Sequence, residues 1–230
     1  MDTLRFADRL PAELPDDPMN FADAWLKEAT TSAGGRNPDS MTLATVAPDG
    51  QPSARVVLCK LFVPDPGYVV FYTNYNSRKG RELVANPKVA ATFHWDTLGL
   101  QIRIEGPAVR SPAGESDTYF ATRDRGSQLG AWGSDQSKEI ESRDALLAQI
   151  RERAAQLGVS VGDPAQESAG LPAIARPPHW GGVRIWVRMI ELWVEGKDRL
   201  HDRAAWQRNL VRADEHSFSV SPWQGMRLQP

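Results

Sequence analysis

At 230 residues and 41% hydrophobic content, the chain is long enough for one full core or a core with appendages. A formal net charge of −2 supplies no global field to recruit nucleic acid or an anionic membrane, so any phosphate must be recognised by a local cluster. Cys59 is the only cysteine, which excludes an internal disulfide and a cysteine-based zinc site, and the four histidines have no metal-ligand spacing. Residues 1–18, rich in Pro and Asp, read as a loosely held arm, and residues 19–230 as a single domain. The segment Met1-Asp2-Thr3-Leu4-Arg5 lacks a basic-then-apolar signal pattern, and no uninterrupted apolar run is long enough to span a bilayer, so the expected location is the cytoplasm.

The spacing of Phe21, Ala24, Trp25 and Ala29 predicts an amphipathic helix over Phe21–Thr30, followed by a loop at Gly34–Pro38. Met41–Val46 and Ala54–Phe62 read as strands joined through the hairpin signal Asp49-Gly50. Tyr68–Thr73 is a third strand, after the turn Pro64-Asp65-Pro66-Gly67. Ser77 suits the N-cap of a short helix ending before Asn86-Pro87. Strands follow at Val89–Trp95 and Leu100–Val109, then a helix over Pro112–Arg123 capped by Ser111 and a longer one over Lys138–Leu157. Residues 158–179 read as an irregular connection, and strands return at Val183–Glu195, Leu200–Arg208 and within His216–Leu228, with a turn at Gly196-Lys197-Asp198. Strands at both ends with helices inserted between them predict a mainly antiparallel barrel with helical excursions, not a doubly wound sheet.

The chemistry sits in short cationic groups. In Arg199-Leu200-His201-Asp202-Arg203, strand alternation would place Arg199, His201 and Arg203 on one side. Such a ridge suits a planar anionic ligand, and it is equally what an exposed strand with solvated charges carries. Arg55 and Lys60 bracket an apolar run and, five positions apart, fall on opposite faces of a regular strand. They could serve two ligands, or one ligand around a bulge. Ser77-Arg78-Lys79 puts two cations at a helix start, where cations sit poorly unless an anion lies between. Tyr119 and Arg123 share a helix face, with Ser127 just beyond its end, and could converge on a phosphate. Gln136-Ser137 adds neutral hydrogen-bonding groups that a helix cap would also explain. No Gly-rich phosphate loop and no serine-nucleophile elbow is present. Phosphate-binding groups for two ligands, without a nucleophile, point to a cofactor that carries the chemistry.

From Phe21 to Pro230 the chain resembles the pyridoxine/pyridoxamine 5′-phosphate oxidases, flavoproteins of the split β-barrel fold that work as FMN-containing homodimers. The marks are Arg55-Val56-Val57-Leu58-Cys59-Lys60, Phe71-Tyr72-Thr73-Asn74, Ser77-Arg78-Lys79, Ser127-Gln128-Leu129-Gly130-Ala131-Trp132, Gln136-Ser137, Trp180-Gly181-Gly182, Arg199-Leu200-His201-Asp202-Arg203 and the ending Arg227-Leu228-Gln229-Pro230. The resemblance implies that Arg55, Val56, Leu58, Tyr72, Thr73, Arg78, Lys79, Gln101, Gln136, Ser137, Trp193 and Arg203 surround FMN, with Arg55, Arg78, Lys79 and Ser137 on its phosphate. Lys60 is implied for both ligands; with Tyr119, Arg123 and Ser127 it would hold the substrate phosphate. Arg199 and His201 would sit over the pyridine ring as the catalytic pair, in a site drawing on both subunits.

The implied reaction is oxidation of pyridoxine or pyridoxamine 5′-phosphate to pyridoxal 5′-phosphate, with O2 as electron acceptor and hydrogen peroxide as product. Two alternatives stand beside it: a split-barrel oxidase of another ring, as in the phenazine pathway, and a non-catalytic carrier of FMN or pyridoxal phosphate. The chain departs from the family in its acidic, Pro-rich Met1–Asp17 segment, where relatives carry a basic, aromatic arm, and in the longer connection Gly158–His179.

Overall fold

A computed structural model describes residues 10–159 and 173–230. Segments of alternating polarity between Gly- and Pro-containing turns form its strands. β1 (Ser40–Val46) and β2 (Pro52–Leu58) make the hairpin predicted around Asp49-Gly50, with Gly50 at φ 85°. β3 (Leu61–Val63) pairs with β4 (Tyr68–Asn74). β5 (Lys88–Trp95) lies between β1 and β6 (Leu100–Arg110). The chain returns as β7 (Trp180–Trp186), which meets the end of β6 through Ala108–Arg110, and β8 (Met189–Val194), which pairs with its beginning. β9 (Asp202–Gln207) pairs with β8 and with β12 (Gln224–Leu228), while β10 (Leu210–Arg212) and β11 (Phe218–Val220) form a separate hairpin. All these pairings are antiparallel. The mainly β, antiparallel architecture with helical excursions is the predicted one.

Period-2 alternation sorts the sheet into two faces. Phe93, Leu100, Ile102, Ile104, Ile190, Leu192, Ala204 and Trp206 are buried on one side of β5, β6, β8 and β9. Each large side chain there contributes about 1.5–3 kcal/mol by leaving water. The opposite face carries Gln101, Arg103, Glu191, Trp193 and Arg203. β6 is long enough to serve two sets of partners, which change over between Glu105 and Ala108. A Cβ on Gly106 would lie 1.8 Å from Trp186 O, so this close backbone approach requires glycine.

The helices are α1 (Met19–Ser32), α2 (Arg78–Ala85), α3 (Ala113–Ala121), α4 (Arg125–Gly133) and α5 (Arg143–Gln156). α1 buries Met19, Ala22, Trp25, Leu26 and Ala29. Ser77 caps α2 as predicted, its Oγ accepting from Gly80 N–H at 3.2 Å. None of these helices is long and apolar enough to cross a membrane.

Several boundaries differ from the sequence prediction, each for a physical reason. The strand predicted over Ala54–Phe62 is two strands. Cys59 N–H donates to Asp39 O while the next amide, Lys60 N–H, donates to Val70 O, so the chain changes partners there. The strand predicted over Val183–Glu195 breaks likewise, with Val187 N–H bonded to Gly67 O and Arg188 N–H to Glu105 O. Ser111 does not cap α3: Pro112 holds that position and the buried Ser111 Oγ has no hydrogen-bond partner. α4 is an unpredicted helix, capped by Asp124, and α5 starts at Arg143 because Ser142 caps it there. Of the predicted arm, residues 1–9 lie outside the described residues. From Leu10 onward it is tied down, by Leu10 N–H to Asp202 Oδ2 (2.8 Å) and by Trp206 Nε1 to Pro15 O (2.8 Å). Most of the predicted 158–179 connection also lies outside the described residues; 173–179 contains no helix or strand.

The chain divides into two compact units. One takes the chain up to Phe71, Glu82–Arg110 and Val183–Pro230; the other takes Tyr72–Arg81 and Ser111–Gly182.

Candidate functional site

In the first unit, register builds a polar row across three strands. Gln101 stands opposite Trp193, and Trp193 opposite Arg203. Beneath that row lies Glu191, only 2% exposed, whose carboxylate pairs with Arg103 at 2.8 Å and Arg203 at 2.7 Å. Arg203 Nε donates to the same carboxylate at 2.9 Å and Nη1 to Gln229 O at 3.0 Å, so the guanidinium is held in one orientation.

Arg199 and His201 do not share a strand with Arg203, contrary to the ridge that alternation predicts. β9 begins only at Asp202, because Lys197–Arg199 form a 3-10 turn with Asp198 at φ 57° and Arg199 at φ 65°. Arg199 is exposed, whereas the half-buried His201 ring rests against Trp193 with centroids 4.5 Å apart. His201 still lies beside the row, although through a turn and a ring contact.

Arg55 turns toward a buried polar cluster. It donates to Thr45 Oγ1, to Ser53 Oγ at 2.5 Å and to Glu82 Oε2 at 3.3 Å. Glu82, 3% exposed, also accepts from Thr45 Oγ1 at 2.5 Å and Ser53 Oγ at 2.8 Å. Val56 projects to solvent at 66% exposure and Leu58 is half-buried. Lys60 lies beyond the end of β2, neither on a regular strand face nor at a bulge within it, and its Nζ pairs with Asp39 at 2.7 Å.

In the second unit, Tyr119 stacks on Tyr72 at 3.8 Å and Tyr72 on Trp180 at 5.4 Å. Arg123 lies over the Trp180 ring at 4.6 Å, and its buried Nη1 has no hydrogen-bond partner. Burial lowers the pKa of this guanidinium, against the opposing influence of Tyr119 and Asp124. An aromatic wall with a desolvated cation at its end is prepared for an anion.

Ser127 lies beyond the end of α3, as predicted, but in the first turn of α4, where its N–H donates to Asp124 Oδ1 at 2.7 Å. Hydrogen bonds from the Ser127 side chain and backbone hold the Asp124 carboxyl below the usual carboxylate range. A second cluster gathers Lys79, Thr73 and Gln136: Lys79 Nζ donates to Gln136 Oε1 at 2.8 Å and Thr73 Oγ1 donates to it at 3.3 Å. Ser137 follows with a left-handed φ of 71°, and Arg78 occupies the exposed first position of α2.

Three residues at the heart of these groups carry no role in the sequence reading: Glu82, Glu191 and Trp180. Glu191 did leave a signal, a lone carboxylate in the apolar run Met189-Ile190-Glu191-Leu192-Trp193-Val194.

Residues 29–156 match the family described as pyridoxamine 5′-phosphate oxidase, and residues 180–230 match the pyridoxine 5′-phosphate oxidase C-terminal dimerisation region. The pyridoxine/pyridoxamine 5′-phosphate oxidase of Azorhizobium caulinodans is 44% identical over 94% of this chain and 91% of its own. That of Paraburkholderia xenovorans is 46% identical over 93% and 89%. Among solved structures, PhzG from Burkholderia lata 383, in complex with tetrahydrophenazine-1-carboxylic acid, aligns with a TM-score of 0.78 at 30% identity, covering 97% of this chain and 99% of that one. Matched along most of its length, with sheet and polar clusters where the shared motifs fall, the chain belongs to the pyridoxine/pyridoxamine 5′-phosphate oxidase family.

Proposed function

We propose that this protein is an FMN-dependent oxidase that converts pyridoxine 5′-phosphate and pyridoxamine 5′-phosphate to pyridoxal 5′-phosphate, as part of vitamin B6 cofactor synthesis or salvage. Oxygen is consumed and hydrogen peroxide released; the amine also takes up water and yields ammonia. The observation that carries the substrate class is Arg123, a half-buried guanidinium whose buried Nη1 is unpartnered, against Trp180 and beside Tyr119. A phosphate ester would supply the missing acceptor.

The donor set fits FMN. Arg78 and Lys79 stand in the first turn of an eight-residue helix, with Gln136 on Lys79, a combination suited to the FMN phosphate. Ser137 and Arg55 are proposed for the same phosphate, and Val56, Leu58, Tyr72 and Thr73 for the cofactor's surroundings. The row of Gln101, Trp193 and Arg203 offers an amide, a flat ring and a fixed cation to a planar ring system. When bound, FMN supplies a hydride acceptor and a route for the electron pair to oxygen.

The rest is positioning by this chain. Lys60, Tyr119, Arg123 and Ser127 hold the substrate phosphate, which fixes where C4′ lies. Arg199 and His201 orient the reacting group over that carbon. A homodimer with shared sites is part of this proposal, supported by the match of residues 180–230 to a dimerisation region.

Aerobic turnover of FMN-loaded protein with each substrate, following pyridoxal phosphate and peroxide together, tests the reading. Equal amounts of both products are expected; FMN binding without either product would overturn it. The likeness to PhzG favours one rival, oxidation of a reduced phenazine carboxylic acid, so that compound belongs in the same assay. Light scattering returning a monomer for the FMN-loaded protein would remove the dimer.

A further inference from the structure

The segment that carries Arg199 and His201 is wound tightly. A Cβ on Gly196 would lie 1.9 Å from Leu200 O, so the chain closes this far only with glycine there. Asp198 and Arg199 both adopt left-handed φ values, a conformation that non-glycine residues hold only where the surroundings enforce it. One tie across the turn is a hydrogen bond from Gly196 N–H to His201 Nδ1 at 3.2 Å. Trp193 supports the ring from one side. Among the described residues nothing bonds Nε2, the imidazole's other nitrogen.

We infer that His201 takes part in the reaction as a neutral hydrogen-bond donor through Nε2–H, fixed in that tautomer by the Gly196 amide, and is not the base that receives the substrate's proton. The inference rests on the reading that His201 faces the substrate. A neutral imidazole has one donor nitrogen and one acceptor nitrogen. The Gly196 amide can only donate, so Nδ1 is the acceptor and the ring proton resides on Nε2. Nε2 then has no lone pair to offer, and the lone pair on Nδ1 is engaged by the backbone. A proton on Nδ1 would place two donors face to face across the turn. What remains to Nε2–H is to donate to a heteroatom of the substrate and hold it while its charge changes.

Substitution and spectroscopy test this independently. Gln can place an amide N–H near the position of Nε2, whereas Asn places its amide near Nδ1. Turnover of pyridoxamine 5′-phosphate should fall about a hundredfold in His201→Ala and His201→Asn, the scale of one lost transition-state hydrogen bond. His201→Gln should regain about tenfold of that loss, as one restored hydrogen bond would give. In the 15N-labelled holoenzyme, the His201 ring, assigned by the signals that vanish in His201→Gln, should show a protonated Nε2 and an unprotonated Nδ1. A ring protonated on Nδ1, or Gln no better than Ala while Asn regains rate, overturns the inference. Full activity in His201→Ala would overturn the site reading instead, and the ring nitrogen signals would still report the tautomer.

Discussion

Arg123 makes a claim at the level of one side chain. Its guanidinium is desolvated and Nη1 is unpartnered, so a phosphate arriving there gains a charge-assisted bond of about 2 kcal/mol. Arg123→Leu should therefore raise KM for pyridoxine 5′-phosphate roughly thirtyfold with a smaller effect on kcat, measured in steady state. Lys should not restore it, because stacking on Trp180 needs a flat cation. Cys59 makes a second claim. Burial, with the nearby Asp39 carboxylate, raises its pKa from 9.0 to about 12. The native thiol should resist iodoacetamide at pH 9 and react at once in denaturant. Because the unfolded thiol loses its proton first, this group's contribution to stability is complete below about pH 9 and disappears as pH rises toward 12. Denaturant midpoints of wild type and Cys59→Ala measured across that range should converge. Part of the grouping at the candidate site was legible in the sequence: Lys79 and Gln136 meet, and Tyr119 and Arg123 both lie against Trp180. Their partners were not, because Glu82 and Glu191 acquire meaning only when strands distant in sequence deliver arginines to them.

At the level of elements, alternation located the middle of nearly every strand and missed the corners. Corners at Cys59-Lys60 and Val187-Arg188 are written in which strand accepts each amide, information that hydropathy does not carry. α4 was missed for a similar reason: Arg125-Gly126-Ser127 has poor helix propensity, and the helix stands on its Asp124 cap and its packing. That packing is close. A Cβ on Gly133 would approach Ile150 Cγ1 to 2.6 Å and its Cα to 3.0 Å. Gly133→Ala should force α4 and α5 apart and lower stability by about 1–3 kcal/mol, read from thermal unfolding. Unchanged stability would mean that the two helices can slide.

Across the whole chain, β12 covers the outer edge of β9 and brings Gln229 O to Arg203. It also places Arg227 on Asp202 at 2.6 Å. Removing residues 224–230 should expose the β9 edge, cost about 3 kcal/mol and lower the unfolding midpoint by roughly 10 °C. It should also weaken FMN binding through Arg203, which fluorescence quenching of the added flavin would measure.

Arg110 and Val183 are opposite one another in the β6–β7 ladder, and Ser111 N–H to Gly182 O adds the next hydrogen bond. The 72 residues from Ser111 to Gly182, which lie between the paired Arg110 and Val183, thus hang from a closed rung. Insertions or deletions in the connections between its helices lengthen or shorten loops while the rung stays paired, at a cost that grows only logarithmically. A lineage could therefore remodel this helical portion, together with the Tyr72–Arg81 segment it packs on, while the register of the sheet is inherited unchanged. An exchange of Ser111–Gly182 between relatives is the corresponding engineering route, with the rung as its splice point.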